Sequence, residues 1–220
     1  ERWGISHEKK SHWWYDPSKV KIDIMDTLTL ETGYNPKYIE KLDKISPIGV
    51  GLISSTTKFG YGSFEIKARL PYGDNLWPAF WMWSWDSWPP EIDVFEGYSD
   101  NNPNYFKFRL LNPLGFWNVQ TNVHYKNKGS NKMVGGKTHW LGFKNPTRRF
   151  IKYKVIWRPE FIEFYYDDKL VRRIKDKKIL KSLKGHKMNV IINNGVTSQV
   201  NVNNPPNSKF HIQYFKYSRF

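Results

Sequence analysis

Glu91, Asp93 and Glu96 fall within six residues of one another, in Trp88-Pro89-Pro90-Glu91-Ile92-Asp93-Val94-Phe95-Glu96-Gly97. The spacers Ile92, Val94 and Phe95 favour a strand over a solvated acidic loop. On a helix, at about 100° per residue, Glu91 and Glu96 would point about 140° apart and could not converge on one substrate. On a regular strand Glu91 and Asp93 share a face and Glu96 points away. One bulge inserts an extra residue and returns Glu96 to the face of the other two. Three carboxylates on one face repel each other, a cost associated with metal binding or acid–base work. A calcium site and a salt-bridged surface remain alternatives on spacing alone. With no His beside the acids in sequence, a transition-metal site is the weaker choice. Two carboxylates flanking a glycosidic bond match better. One, ionised, attacks the anomeric carbon. The other is kept protonated by the neighbouring negative charge and gives its proton to the leaving oxygen. After the bulge Glu91 and Glu96 sit like i and i+4, with Cα atoms ~13 Å apart on a flat strand, whereas a retaining pair needs its carboxyl groups about 5–5.5 Å apart. Sheet curvature and inward-leaning side chains have to close that gap. Asp93, between them, is placed to share a proton with Glu91.

The elements that must position these acids are short strands. Ser63 to Leu70 alternates cleanly and ends at the turn Pro71-Tyr72-Gly73-Asp74. Val20 to Ile24, Leu28 to Thr32, Phe80 to Trp85, Glu91 to Glu96, Tyr105 to Leu110 and Val119 to Tyr125 read the same way. Lys152 to Trp157 and Phe161 to Tyr166 flank the turn Arg158-Pro159-Glu160. Leu170 to Ile174, Met188 to Ile192 and His211 to Tyr217 follow. Roughly a dozen strands with turn residues between them predict an all-β fold, a sandwich or barrel of antiparallel sheets. Pro36 to Leu42 and Lys177 to Leu183 could each hold a helical turn or two. No repeat or linker interrupts the 220 residues, which read as one domain, 1–220.

Composition narrows the partner. Eleven Trp, 13 Tyr and 14 Phe make 17% of the chain aromatic, and flat rings suit sugars and nucleic-acid bases. Lys and Arg exceed Asp and Glu by 15. That surplus sits apart from the aromatics: residues 144–187 hold 15 basic and 5 acidic residues, residues 71–110 hold 2 and 6. A nucleic-acid protein would interleave the two, so no nucleic-acid partner is expected. Lys175, Lys177, Lys178, Lys181, Lys184 and Lys187 read as a solvated face. No run approaches the ~20 apolar residues of a membrane span, so no membrane insertion is expected. Cysteine is absent, which removes disulfides, thiol nucleophiles and thiolate metal sites. The chain opens at Glu1 without a signal region and reads as a processed product.

Glu91-Ile92-Asp93-Val94-Phe95-Glu96 resembles the E-x-D-x-x-E signature of glycoside hydrolase family 16. The segments Gly51 to Pro71, Leu76 to Trp83, Tyr153 to Trp157 and Phe161 to Asp168 resemble the strands around that signature, in order. The resemblance implies a β-jelly-roll sandwich with a concave substrate cleft and an endo-acting, configuration-retaining hydrolase of a polysaccharide. Glu91 would be the nucleophile, Asp93 its helper and Glu96 the acid/base. Neither cofactor nor catalytic metal is implied. Gln213 stands about where many members carry an Asp that binds a structural calcium.

Alternation puts Trp81 and Trp83 on one face, and the resemblance turns that face to the cleft. Trp83 is the expected sugar platform, with Trp81 beside it. His124 is expected on a neighbouring cleft strand, bonding a sugar hydroxyl or Glu96. Trp88, Trp117, Trp140 and Asn193 complete the candidate substrate-binding set, with Trp117 and Trp140 walling the cleft from loops. Trp13 and Trp14 are expected to cover an edge. The basic run, with Lys144, Arg148 and Arg149 nearest a cleft loop, favours a galactan, sulfated or not. An endo-β-1,3(4)-glucanase and a non-catalytic carbohydrate-binding protein are the alternatives. A polymer substrate implies an extracellular, periplasmic or surface-anchored enzyme, and a monomer is expected.

Overall fold

The computed structural model describes residues 12–23, 27–84, 86–98, 117–133, 137–142 and 144–220. In chain order the strands are β1 (Trp13–Tyr15), β2 (Val20–Ile22), β3 (Leu28–Ile39), β4 (Lys44–Val50), β5 (Leu52–Ser54) and β6 (Gly62–Arg69). They continue with β7 (Leu76–Ser84), β8 (Ser87–Tyr98), β9 (Trp117–Asn127), β10 (Ser130–Met133) and β11 (Lys137–Gly142). The last five are β12 (Ile151–Trp157), β13 (Ile162–Tyr166), β14 (Lys169–Ile174), β15 (Asn189–Val196) and β16 (Ser208–Ser218). The expected strand Tyr105 to Leu110 lies outside the described residues.

Among the described residues the strands form two sheets. A seven-stranded sheet runs β10-β9-β8-β7-β15-β5, with β11 also on β9. A nine-stranded sheet runs β1-β4-β3-β16-β6-β12-β13-β14, with β2 on β3. The sequence alternation becomes a strict inside–outside pattern. Phe64, Ile66 and Ala68 of β6 and Tyr153 and Val155 of β12 are buried, while Glu65, Lys67, Lys152 and Lys154 between them face out. From the other sheet Phe80, Met82, Ile92, Phe95, Val123 and Ile192 meet them in one apolar layer. Each fully buried side chain of this kind is worth about 1.5–3 kcal/mol.

Two expectations fail locally. β1 runs parallel to β4, so the nine-stranded sheet is not wholly antiparallel. Pro36 to Leu42 is not a helix: β3 continues to Ile39 and only Glu40–Leu42 forms a 3-10 turn. Pro36 cannot donate to a ladder, and it sits where the β3–β4 register slips between Tyr34 and Lys37. Lys177–Leu183 is the α-helix α1. Asp176 caps it through the backbone N–H groups of Lys178 and Ile179, and Ile179, Leu180 and Leu183 bury its inner side.

Candidate active site

The acids lie on β8, the third strand of the seven-stranded sheet, between β7 and β9. Across these strands Trp83 pairs with Glu91 and Glu91 with His124. Trp81 pairs with Asp93 and Asp93 with Asn122. The next rung joins Ala79, Glu96 and Gln120, so β8 uses three residues where its neighbours use two. The extra residue falls at Val94–Phe95. Both side chains are fully buried and belong to the same core cluster, whereas successive residues of a regular strand point to opposite faces. Glu96 thereby returns to the outer face with Glu91 and Asp93. Tyr166 on β13 crosses the core and donates its hydroxyl to the carbonyl of Val94, 2.8 Å away, at the bulge itself. Gly97 follows Glu96 in the left-handed region, at φ 59°, where the β8–β9 register slips again.

Glu91 and Glu96 line one cavity of about 280 Å³. Glu91 accepts an N–H from the Trp88 indole at 2.7 Å, and Glu96 accepts one from Trp77 at 3.2 Å. Asp93 is 1% exposed. With all acids ionised, neither Asp93 oxygen has a hydrogen-bond donor. Protonated, Asp93 donates to Glu91. Burial first, then the charges of Glu96 and Glu91, push its pKa well above the usual carboxylate range. Burial and the charge of Glu91 also raise Glu96, to about 7, against the lowering hydrogen bond from Trp77. The site therefore holds a carboxyl that keeps its proton close to neutrality, beside a second acid held by an indole N–H.

His124 is where the register puts it, but it faces different acids from the one expected. Its Nε2 is 3.6 Å from Asp93 and 3.8 Å from Glu91, not beside Glu96. Glu91, Asp93 and His124 bring three potential ligand atoms within 4.8 Å of one another, so folding places beside the acids a His that lies far from them in sequence. A cation there would need Asp93 deprotonated, against the direction in which burial pushes it. Gln213, exposed at the β16 register slip, offers an amide oxygen without the negative charge of a carboxylate, which makes it the weaker calcium ligand.

Trp81 and Trp83 share the outer face, ring centroids 6.1 Å apart. Trp81 is buried and donates to Asn193 at 2.8 Å, and Asn193 in turn donates to the Trp77 carbonyl at 3.3 Å. Asn193 lines the cavity while fixing two tryptophans. Trp88 is 43% exposed, with its ring tilted against His124 at 5.4 Å. Trp117 is a correction: it opens β9 on the core side and is 9% exposed, packed in the main hydrophobic cluster. Trp140 lies on strand β11, paired with Asn118 of β9, and not on a loop; its side chain is outside the described set. Trp13 lines the cavity with His12 and Tyr15, whereas Trp14 donates to the Asn35 carbonyl and lies under Lys37. Trp77 was missed, although alternation back from Trp81 puts it on the same face. The N-terminal wall had no local signal, because it comes from strand β1 of the other sheet.

The basic run does not line the cavity. β12, β13 and β14 belong to the nine-stranded sheet, where Lys144 pairs with Asp167, Lys152 and Lys154 with Asp168, and Arg173 with Glu163.

Fold and site together define a β-jelly-roll protein of glycoside hydrolase type. The chain belongs to the Glycosyl hydrolases family 16, whose profile matches residues 7–215. It is 32% identical over 126 residues to the endo-1,3-1,4-beta-glycanase EglC of Rhizobium meliloti (strain 1021), an alignment covering 56% of this chain and 23% of that protein. It is 33% identical over 129 residues to a beta-glucanase of Rhodothermus marinus, covering 54% of this chain and 39% of that one. The chain thus spans well under half the length of these relatives. The catalytic domain of an endo-1,3-beta-glucanase (laminarinase) from Thermotoga petrophila RKU-1 superposes with a TM-score of 0.74 at 18% identity, covering 94% of this chain and 82% of that one. At that identity the likeness establishes the fold.

Proposed function

We propose that the chain is a retaining endo-β-glycosidase whose substrate is a β-1,3- or mixed β-1,3-1,4-glucan. The observation that carries the reading is the Val94–Phe95 bulge, which sets Glu91, Asp93 and Glu96 on one face with Glu96 raised to about 7. In the first step a Glu91 oxygen attacks the anomeric carbon while Glu96 passes its proton to the departing oxygen. The glycosidic bond breaks and a glycosyl ester forms on Glu91. In the second step Glu96, now ionised, takes a proton from water. The water oxygen attacks the same carbon, freeing Glu91 and restoring the proton on Glu96. Asp93, protonated toward Glu91, orients that carboxylate and holds its second negative charge out of the site. Trp77, Trp13 and the edge of the buried Trp81 line the cavity and offer ring surface to the sugars, with Trp83 beside Trp81 on the same face and Trp88 and His124 at the Glu91 end.

The glucan reading takes support from the names of the relatives. The galactan reading rested on the basic run, and that run belongs to the other sheet. A beta-1,3-glucan-binding protein of Penaeus monodon, 28% identical over 128 residues, covers 53% of this chain and 32% of its own length. A purely binding role would leave the three acids and the raised Glu96 without a task. A polymer substrate supports action outside the cytoplasm. The test is a panel of laminarin, lichenan, agarose, porphyran, carrageenan and mucin glycans, with the parent and Glu91→Gln. New reducing ends from a β-glucan, abolished by Glu91→Gln, are expected. Equal rates for the two proteins would overturn the carboxylate mechanism, and cleavage confined to galactans would overturn the substrate.

A further inference from the structure

The charge that the cleft does not use has a place of its own. α1 carries Lys177 and Lys181 at i and i+4 on one flank of the helix, and Lys184 is the residue that caps its C-terminus. With Lys175 just ahead of the helix, that flank walls a groove of about 550 Å³. Tyr61, Pro159 and Glu160 form the facing wall, from the loop before β6 and the turn between β12 and β13. The groove shares no lining residue with the cleft.

Four ammonium groups meet one carboxylate there. Among the described residues none of the four lysines is in an ion pair, whereas Lys144, Lys152, Lys154 and Arg173 of the same run all are. Asp176, the other acid nearby, is spent on the N-terminus of α1. Like charges at i, i+4 work against a helix, and a bound anion relieves that repulsion. The floor is not wholly solvated either: Leu180 lines it, and Tyr61 stands edge-on to Trp157 with centroids 5.0 Å apart.

We propose that this groove binds an acidic polysaccharide, a glycan with repeated carboxylate or sulfate groups, independently of the cleft and of what the cleft cleaves. Lys177 and Lys181 stand about 6 Å apart along the axis, and Lys175 and Lys184 extend the row beyond the two ends of the helix, a spread that suits a polymer of repeated charges better than one small anion. Nucleic acid fits less well. Single strands are held by successive exposed ring faces, and the one ring in this groove is packed edgewise on Trp157. The groove would hold the protein on an anionic matrix while the cleft works on another chain.

The test is affinity electrophoresis at physiological salt in gels carrying a polyuronate, a sulfated galactan, laminarin or single-stranded DNA. Lys177→Gln, Lys181→Gln and Lys184→Gln together are compared with Lys67→Gln, Lys169→Gln and Lys216→Gln. The second set removes equal charge from strands of the nine-stranded sheet. The groove set should weaken retention by the acidic glycans about tenfold and the control set less than about twofold. Both should cleave the parent's substrate at the parent rate, which shows that they fold. Equal losses from the two sets would reduce the effect to diffuse charge. Unchanged retention in the groove set, or tighter binding of the parent to DNA than to either acidic glycan, would also overturn the proposal.

Discussion

Glu91 takes its orientation from a tryptophan. Trp88 donates to one carboxylate oxygen at 2.7 Å, and the other oxygen faces His124 at 3.8 Å. Trp88→Phe keeps a ring against His124 and removes only the donor. A hydrogen bond to a charged group is worth about 1.5–3 kcal/mol, so kcat/KM should fall roughly 10- to 100-fold. A loss below about threefold would show that Glu91 is held by other means. Glu96 makes a second prediction. In its proposed role of proton donor it must be protonated, and its pKa stands at about 7 because of burial and the charge of Glu91. The pH profile of kcat/KM should therefore decline on the alkaline side as pH rises through about 7. A profile flat to pH 9 and beyond would remove Glu96 from the acid role.

The bulge in β8 is what turns an acidic strand into a site, and it is held from behind. Tyr166 reaches from β13 to the Val94 carbonyl. Tyr166→Phe leaves that carbonyl without its buried donor, at a cost of about 1–3 kcal/mol in denaturant unfolding. It should also lower kcat more than it changes KM, because Glu96 follows the bulge. Lost stability with kcat intact would mean that the bulge keeps its shape alone. The bulge was legible in the sequence, since Ile92, Val94 and Phe95 demand a strand and the acids then demand an odd residue. The alternation of β6 and β12 was equally plain, because one face of each is core and the other is solvent. Trp117 was not legible: a tryptophan that opens a strand can face either way, and only the packing of β9 on the core decides. His124 joining Asp93, Trp13 joining the cavity and the basic strands leaving it all depend on pairings between distant segments, which alternation within a strand does not encode.

Across the whole molecule, the two faces carry different electrostatic burdens. The nine-stranded sheet and α1 hold the basic surplus, while the seven-stranded sheet gathers Glu91 and Asp93, both buried, and the half-buried Glu96 on one strand. Those acids cost stability in a definite pH window. Folded, Glu96 keeps its proton to about 7; unfolded, it releases it near the ordinary 4.5. Between these values the folded state binds the extra proton, so the acid's burial destabilises the fold progressively as pH rises through the window. Asp93 is raised for the same reason and acts in the same direction. Glu96→Gln removes the ionisable group with little change of shape. Calorimetry should find its melting temperature above that of the parent at pH 8, by a few degrees, and close to it at pH 4. The same difference at both pH values would show that packing, not protonation, sets the effect.

Double displacement across Glu91 and Glu96 is most directly tested by the configuration of the first product. Proton NMR should follow cleavage of the polysaccharide that the panel identifies, from the first minutes of reaction. The β-anomer should appear first, with the α-anomer growing later by mutarotation. An α-anomer present from the outset would mean that water attacks directly, and the proposed glycosyl ester on Glu91 would not exist.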